Sequence, residues 1–211
     1  MTWRGLLAAF MFVSSICAAK AQPAPVFNWS GYYAGVHIGY GGGDSRWTSR
    51  PVDVEFSTEG MIGGVTVGRN WQMSDVSVVL GLEADVSAAK VSGISYLPCS
   101  ATGCTPELQV LSTFRGRFGV VRNRTLFYGT GGLAIGVFNY VSPAAPMDIV
   151  RGEVGWTVGA GIESLLGRNW SWKAEYLYIE FGQSNLLFVS NRVYSDFNAT
   201  HIGRFGVNYR W

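Results

Sequence analysis

The sequence predicts an all-β chain, an eight-stranded antiparallel transmembrane β-barrel, and three observations carry that expectation. Eight segments alternate apolar residues with polar residues or glycine, at the period of two that a strand with one apolar face requires. The connections between them run long, short, long, short, long, short, long. That pattern suits a barrel with its short turns on one side of a membrane and its long loops on the other. Composition agrees: charged residues are 14% of the 211, aromatics another 14%, and there are 28 glycines. Such a chain is poor in the ion pairs and helix formers of a soluble α/β enzyme.

Residues 1–21 read as a secretory signal to be cleaved. Arg4 supplies the positive start, 6–13 the apolar core, and Ala19-Lys20-Ala21 the small-x-small cleavage site. The apolar run is shorter than the roughly 20 residues a membrane-spanning helix needs. Ile16, bulky where a lipoprotein signal wants a small residue, argues against lipidation of Cys17. Cleavage removes Arg4 and Lys20, so the 16 basic residues fall by two to match the 14 acidic ones. No basic field for nucleic acid remains. It also leaves Cys99 and Cys104 as an even pair in an oxidising compartment, where they are expected to bond. Closing so short a loop contributes only about 2 kcal/mol in the chain-entropy model, enough to shape a loop tip.

After a short Pro-containing leader at 22–28, the barrel is expected over 29–211. The first strand, 29–41, puts Tyr32, Ala34, Val36, Ile38 and Tyr40 on one face and Gly31, Tyr33, Gly35, His37 and Gly39 on the other. A polar loop at 42–57 leads to the second strand, 59–72, with Met61, Val65 and Val67 outward and Gly64, Thr66 and Gly68 inward. The third strand, 78–88, sets Leu80, Leu82, Ala84 and Val86 against Gly81, Glu83, Asp85 and Ser87. A long loop at 89–107 carries the two cysteines. The fourth strand, 108–121, faces Phe114, Phe118 and Val120 one way and Arg115, Arg117 and Gly119 the other.

The fifth strand, 126–139, is glycine-rich, with Leu133, Ile135 and Val137 outward and Gly132, Ala134 and Gly136 inward; its lower half stays ambiguous. A loop at 140–153 contains Pro143 and Pro146. The sixth strand, 154–165, sets Trp156, Val158, Ala160 and Ile162 against Gly155, Thr157, Gly159, Gly161 and Glu163. A tight turn leads to the seventh, with Trp172, Ala174, Tyr176 and Tyr178 against Lys173 and Glu175. The last long loop, 182–198, precedes a closing strand in which Phe205, Val207, Tyr209 and Trp211 alternate with Arg204, Gly206, Asn208 and Arg210. Aromatics gather at the short-turn end, Trp29, Trp71, Phe127, Trp170, Trp172 and Trp211, as an interfacial girdle requires. Tyr40, Phe138, Tyr140, Trp156, Tyr178 and Phe181 lie towards the other rim. No stretch after residue 21 is long and apolar enough for a spanning helix, so the chain would cross with strands, whose backbone groups a closed sheet satisfies.

Six segments in order, Asn28-Trp-Ser-Gly-Tyr-Tyr-Ala-Gly35, Leu80-Gly-Leu-Glu-Ala-Asp85, Arg115-Gly-Arg-Phe-Gly119, Gly131-Gly-Leu-Ala134, Gly155-Trp-Thr-Val-Gly-Ala-Gly-Ile-Glu163 and Lys173-Ala-Glu-Tyr-Leu-Tyr178, together resemble the small porin-family outer-membrane proteins of alphaproteobacteria. The group includes major surface antigens and hemin-binding proteins built on an OmpA-like eight-stranded barrel. The closing strand resembles the C-terminal strand of such barrels, so Phe205, Val207, Tyr209 and Trp211 are implied to be the signal read by the barrel-assembly machinery. Trp211 stands where the family usually has Phe. The resemblance implies residence in the outer membrane of a Gram-negative bacterium.

For chemistry, the first candidates are the inward charges Glu83, Asp85, Arg115, Arg117, Glu163, Lys173, Glu175, Arg204 and Arg210. Glu83 and Asp85 should meet Arg115 and Arg117 on the neighbouring strand, and Glu163 should meet Lys173 across a short turn. Buried charges must be paired, and an eight-stranded barrel is just wide enough for side chains to fill it. A salt-bridged plug is therefore expected over a narrow ion path, which the inward glycines keep open as an alternative. His37 and His201 sit on strands that must meet at closure, but their parities oppose and a two-His site lacks further ligands. No cofactor or metal is expected. No nucleophile elbow or zinc motif occurs, and an enzyme is not expected. The function read here is a structural envelope protein presenting loops 42–57, 89–107, 140–153 and 182–198. Membrane lipid, lipopolysaccharide and host or phage ligands are the expected partners. The alternatives are a narrow porin-like channel and a hemin-binding surface protein.

Overall fold

The computed structural model describes residues 27–49, 52–73, 77–92, 105–141, 149–181, 184–188 and 191–211. The expected signal segment and most of the expected leader lie outside these residues, as do Cys99 and Cys104 with their expected disulfide. Nine antiparallel strands follow one another: β1 (Gly31–Ser49), β2 (Val52–Gln72), β3 (Val78–Ser92), β4 (Thr105–Arg122), β5 (Thr125–Val141), β6 (Ile149–Leu165), β7 (Trp170–Phe181), β8 (Ser184–Phe188) and β9 (Asn191–Arg210). Each of β1 to β6 pairs with the next, β7 pairs with β9, and β9 closes on β1, which makes an eight-stranded barrel. The short β8 stands outside that circuit, forming a hairpin with the start of β9.

Closure has a definite stagger. From Tyr33 the paired positions run through Gly68, Glu83, Arg115, Gly132, Thr157, Ile179 and Thr200, and arrive back on β1 at Gly43, ten residues from the start (43 less 33). With eight strands, that shear tilts each strand by about 40° to the barrel axis. It also brings residues of distant strands to one level inside.

Strands run into all four segments read as long loops. The β1–β2 hairpin pairs up to Ser49 and Val52, β3 and β4 reach Ser92 and Thr105, and β5 and β6 reach Val141 and Ile149. In the fourth, 182–198, β8 and the start of β9 form their hairpin. Above the membrane both faces of a hairpin meet water, so the alternation fades although the ladder continues.

The short turns sit at the other end. Asn123 takes a left-handed conformation (φ 58°) in the two-residue link between β4 and β5, where a side chain that tolerates αL is needed. Asn169, in the β6–β7 turn, clips onto the closing strand: its carbonyl accepts from Arg210 N at 2.7 Å and its Nδ2 donates to Arg210 O at 2.8 Å. Gly31 opens β1 at φ +135°, and a Cβ there would lie 2.7 Å from Trp211 O. Glycine lets the last residue approach, and Trp211 N donates to Tyr32 O at 3.1 Å.

Outward rows form one apolar belt around the barrel. Val36, Ile38, Val65, Phe114, Phe118 and Leu133 are each more than half exposed in the isolated chain. A patch this continuous is not tolerated in water, and lipid is the medium that covers it.

Candidate functional site

The lumen is filled in tiers. At the short-turn end Trp29, Val79, Leu126, Tyr128 and Leu165 form a buried cluster, with Phe27 and Val121 packed on it. Towards the long loops, Ile62, Leu111, Phe138, Leu177, Ile179, Phe181 and Ile202 point inward and are buried. All nine charged side chains named above lie buried between these ends, none more than 5% exposed. The strand order makes this explicit. Inward positions of β7 run Ser171, Lys173, Glu175, Leu177, Ile179 and Phe181, from polar to apolar towards the long-loop end.

Arg115 holds the centre. Its guanidinium pairs with Glu83 through Nη2, with Asp85 at 3.1 Å and with Glu175 at 3.1 Å, and its Nε donates to Thr113 Oγ1 at 2.9 Å. Arg204 pairs through Nε with Glu175 at 2.6 Å and through Nη2 with Asp85 at 3.2 Å. Arg117 reaches Glu163 at 2.8 Å and Glu83 at 3.4 Å. Arg210 Nη1 lies 3.9 Å from Glu163, and its Nη2 donates to Trp29 O at 2.5 Å. Charges removed from water are stable only when so compensated, and within a membrane no rehydrated alternative competes.

The expected Glu163–Lys173 pair does not form. These residues are direct cross-strand partners, yet Glu163 is already engaged by Arg117, by Ser171 Oγ at 2.6 Å and by Asn208 Nδ2 at 3.0 Å. Lys173 instead spans the lumen to Glu83 at 3.0 Å. Glu83 thus faces Arg115, Arg117, Lys173 and, at 3.6 Å, Arg204.

Two tyrosines complete the network and were missed as members of it. Tyr33 OH donates to Glu83 at 2.8 Å while accepting from Arg117 at 2.7 Å. Tyr128 OH donates to Glu175 at 3.0 Å, and its ring lies 3.9 Å beneath the Arg117 guanidinium, a cation–π contact strengthened by burial. Tyr33 was legible from its inward parity; Tyr128 sits in the ambiguous half of its strand. Glu153, buried at 6% exposure, is a further inward carboxylate, hidden at the end of a segment read as loop.

Three aromatics are corrected. Trp29 lies at the short-turn end but is fully buried inside it, with Arg210 4.5 Å above its ring. It precedes the first strand, where the chain bends inward and parity gives no guidance. Phe138 and Phe181 point into the lumen and meet edge to face at 5.4 Å, so they close the outer end and do not belong to a rim. Trp71, Phe127, Trp170 and Trp211 do face out, and the half-buried Trp172 stacks on Phe205 at 5.9 Å. Of the closing strand's outward row, Phe205, Tyr209 and Trp211 are exposed and Val207 is half-buried.

The histidines take opposite sides of the wall. His37 is buried against Thr66 Oγ1 at 3.0 Å and Ser87 Oγ at 2.8 Å, whereas His201 is exposed beside Tyr176 and Tyr178. Among the described residues no group of three or more His, Cys, Asp or Glu is placed to hold a metal ion.

Three inward glycines make room for neighbouring rings. A Cβ at Gly68 would enter the Tyr33 ring, one at Gly161 would lie 2.5 Å from Tyr128 OH, and one at Gly136 would meet Phe138 and Phe181. Each glycine gives up its own volume so that a neighbour's large side chain can lie flat across it. Gly68→Ala is accordingly expected to push Tyr33 off Glu83 and Arg117, lowering stability by about 1–3 kcal/mol as overpacking does. Thermal unfolding in detergent, with Gly63→Ala as the uncrowded control, measures this; a Cβ at Gly63 meets only His37 O at 3.7 Å.

The sequence model of one family, described as "Outer membrane protein beta-barrel domain", matches residues 6–210. The 31 kDa outer-membrane immunogenic protein of Brucella melitensis biotype 1 is 35% identical over 226 residues, covering 97% of this chain and 93% of its own length. The 22 kDa outer membrane protein of Rhizobium leguminosarum bv. viciae is 31% identical, over 84% of this chain and 83% of its own. Among solved structures, the outer membrane protein OprG from Pseudomonas aeruginosa superposes with a TM-score of 0.53 at 13% identity, over 88% of this chain and 99% of that one.

Proposed function

This chain belongs to the outer-membrane protein β-barrel family, and from that premise we propose that it is a non-conducting envelope protein, acting through its two membrane surfaces and its outer hairpins. The observation that carries this reading is the filled lumen: nine paired charges held between two apolar ends. A path for ions would have to break Arg115, Arg117 and Arg204 from their carboxylates and displace both ends at once. In an eight-stranded barrel no second route exists through the interior.

The hairpins β1–β2, β3–β4, β5–β6 and β8–β9 then carry the contacts with the outside. The relatives named immunogenic proteins share almost the full length of this chain, which supports a surface-antigen role for it. Lipopolysaccharide and host or phage surfaces are the ligand classes that outer hairpins would meet.

Planar-bilayer recording with the refolded chain tests the closed lumen. The expected result is a flat baseline at voltages where general porins conduct; discrete, reproducible unitary steps would overturn it.

A further inference from the structure

From the lipid-facing wall near the short-turn end, we propose a binding site for an anionic phospholipid of the periplasmic leaflet, with Arg69 holding the phosphodiester and a groove beside it holding an acyl chain. The site rests on the transmembrane orientation derived above. The outward row of β2 runs Met61, Gly63, Val65, Val67, Arg69 and Trp71, so a guanidinium interrupts an apolar stripe. Arg69 is exposed. At the midplane such a charge would cost several kcal/mol, but near the interface the cost nearly vanishes. Its neighbours place it there, since Trp71 and Trp211 belong to the aromatic girdle and Tyr32 packs against Trp211.

The guanidinium is held in a fixed pose. Its centre lies 4.7 Å from the Tyr32 ring and 5.0 Å from the Trp71 ring, and Nη1 donates to Tyr32 OH at 3.0 Å. Tyr32 is itself stacked on Trp211 at 6.4 Å. An arginine has five N–H donors, and this one makes no ion pair among the described residues. The unused donors of a planar fork match a phosphate bidentately, which an ammonium cannot do.

Next to Arg69 a groove of about 320 Å³ runs along the wall. Its floor is Ala84, paired with Val67 on one side and Phe114 on the other. A small residue between two larger ones leaves a hollow in the wall, lined almost wholly by carbon. Cation at the membrane surface and apolar hollow beside it match the two halves of a phospholipid. The preference for an anionic headgroup follows from the surroundings. The β4–β5 turn, on the strand beside β3, presents Arg122 and Arg124, both exposed, and no carboxylate; Asp75 lies outside the described residues. Nothing described there would receive the ammonium of a zwitterionic headgroup.

Native mass spectrometry of the refolded full chain, released from mixed micelles holding equal dioleoyl phosphatidylglycerol and phosphatidylethanolamine, tests the proposal. The wild type should retain phosphatidylglycerol roughly tenfold over phosphatidylethanolamine, the scale of one charged hydrogen-bonded contact. Arg69→Ala should lower retention of both lipids, which share the phosphodiester, and Arg69→Lys should restore only part of it. Ala84→Phe, which fills the hollow and leaves Arg69 in place, should weaken retention of both lipids. Equal retention of the two lipids by wild type, or unchanged retention in both Arg69→Ala and Ala84→Phe, overturns the site. Competition by millimolar inorganic phosphate also overturns it, because a free anion would then suffice. Heat-modifiable gel mobility reports the barrel separately: loss of that shift in the wild type would sink the transmembrane reading rather than the lipid site alone.

Discussion

Arg115→Ala lowers the stability of the barrel in detergent by about 3–5 kcal/mol, the cost of removing one partner from a buried ion network, and leaves bilayer conductance at baseline. The side chain is fully buried and ties together Glu83, Asp85, Glu175 and Thr113. Its loss removes the cation nearest the centre and leaves a cavity there. Arg115→Met separates the two effects. Methionine fills much of the space without charge, so it should remain nearly as unstable as alanine if ion pairing dominates, and should recover if packing does. Arg122→Ala, at an exposed turn, stays within about 0.5 kcal/mol of wild type. Melting followed by heat-modifiable mobility reads all three. A large conductance in Arg115→Ala with unaltered melting would instead mark Arg115 as a gate.

Much of this architecture was legible because lipid imposes so strict a rule. With apolar side chains outward and polar or small ones inward, parity alone separates Leu82 from Glu83 and Phe114 from Arg115, and the exposures follow that parity. The rule lapses where its cause lapses. Beyond the membrane the hairpin ladders continue without an apolar row, so the strands outrun the pattern that announced them. Trp29 misleads for the same reason, since it comes before the first ladder. Phe138 and Phe181 share the parity of Gly136 and Lys173, and parity was the better guide to them than their height near a rim.

Which charges meet was harder to read. Neighbouring strands announce Glu83 with Arg115, but the stagger of ten residues carries β7 to the level of β3 across the lumen, and Lys173 then finds Glu83, 90 residues away in sequence. Saturation of Glu163 by Arg117, Ser171 and Asn208 is equally invisible along the chain. The glycines carry a related ambiguity. An inward glycine is written identically whether it opens a pore or makes room for Tyr33, and only the neighbour's reach decides.

Glu83→Gln, which alters charge and scarcely alters shape, should be as damaging as Arg115→Ala, about 3–5 kcal/mol, because four cations and Tyr33 converge on that carboxylate. The cations do not depend on it equally. Lys173 forms its ion pair among the described residues with Glu83, whereas Arg204 keeps Asp85 and Glu175 when Glu83 is neutral. Adding Lys173→Met to Glu83→Gln therefore removes the stranded cation, and should recover about 1–3 kcal/mol as coupled neighbours do. Adding Arg204→Met should deepen the loss, since it strands Asp85 and Glu175 in turn. Urea unfolding of the single and double variants in one detergent gives both couplings. If the two second changes act alike, the interior behaves as a diffuse charge balance; opposite signs establish discrete pairs that hold strand β7 against strand β3 through the centre of the barrel.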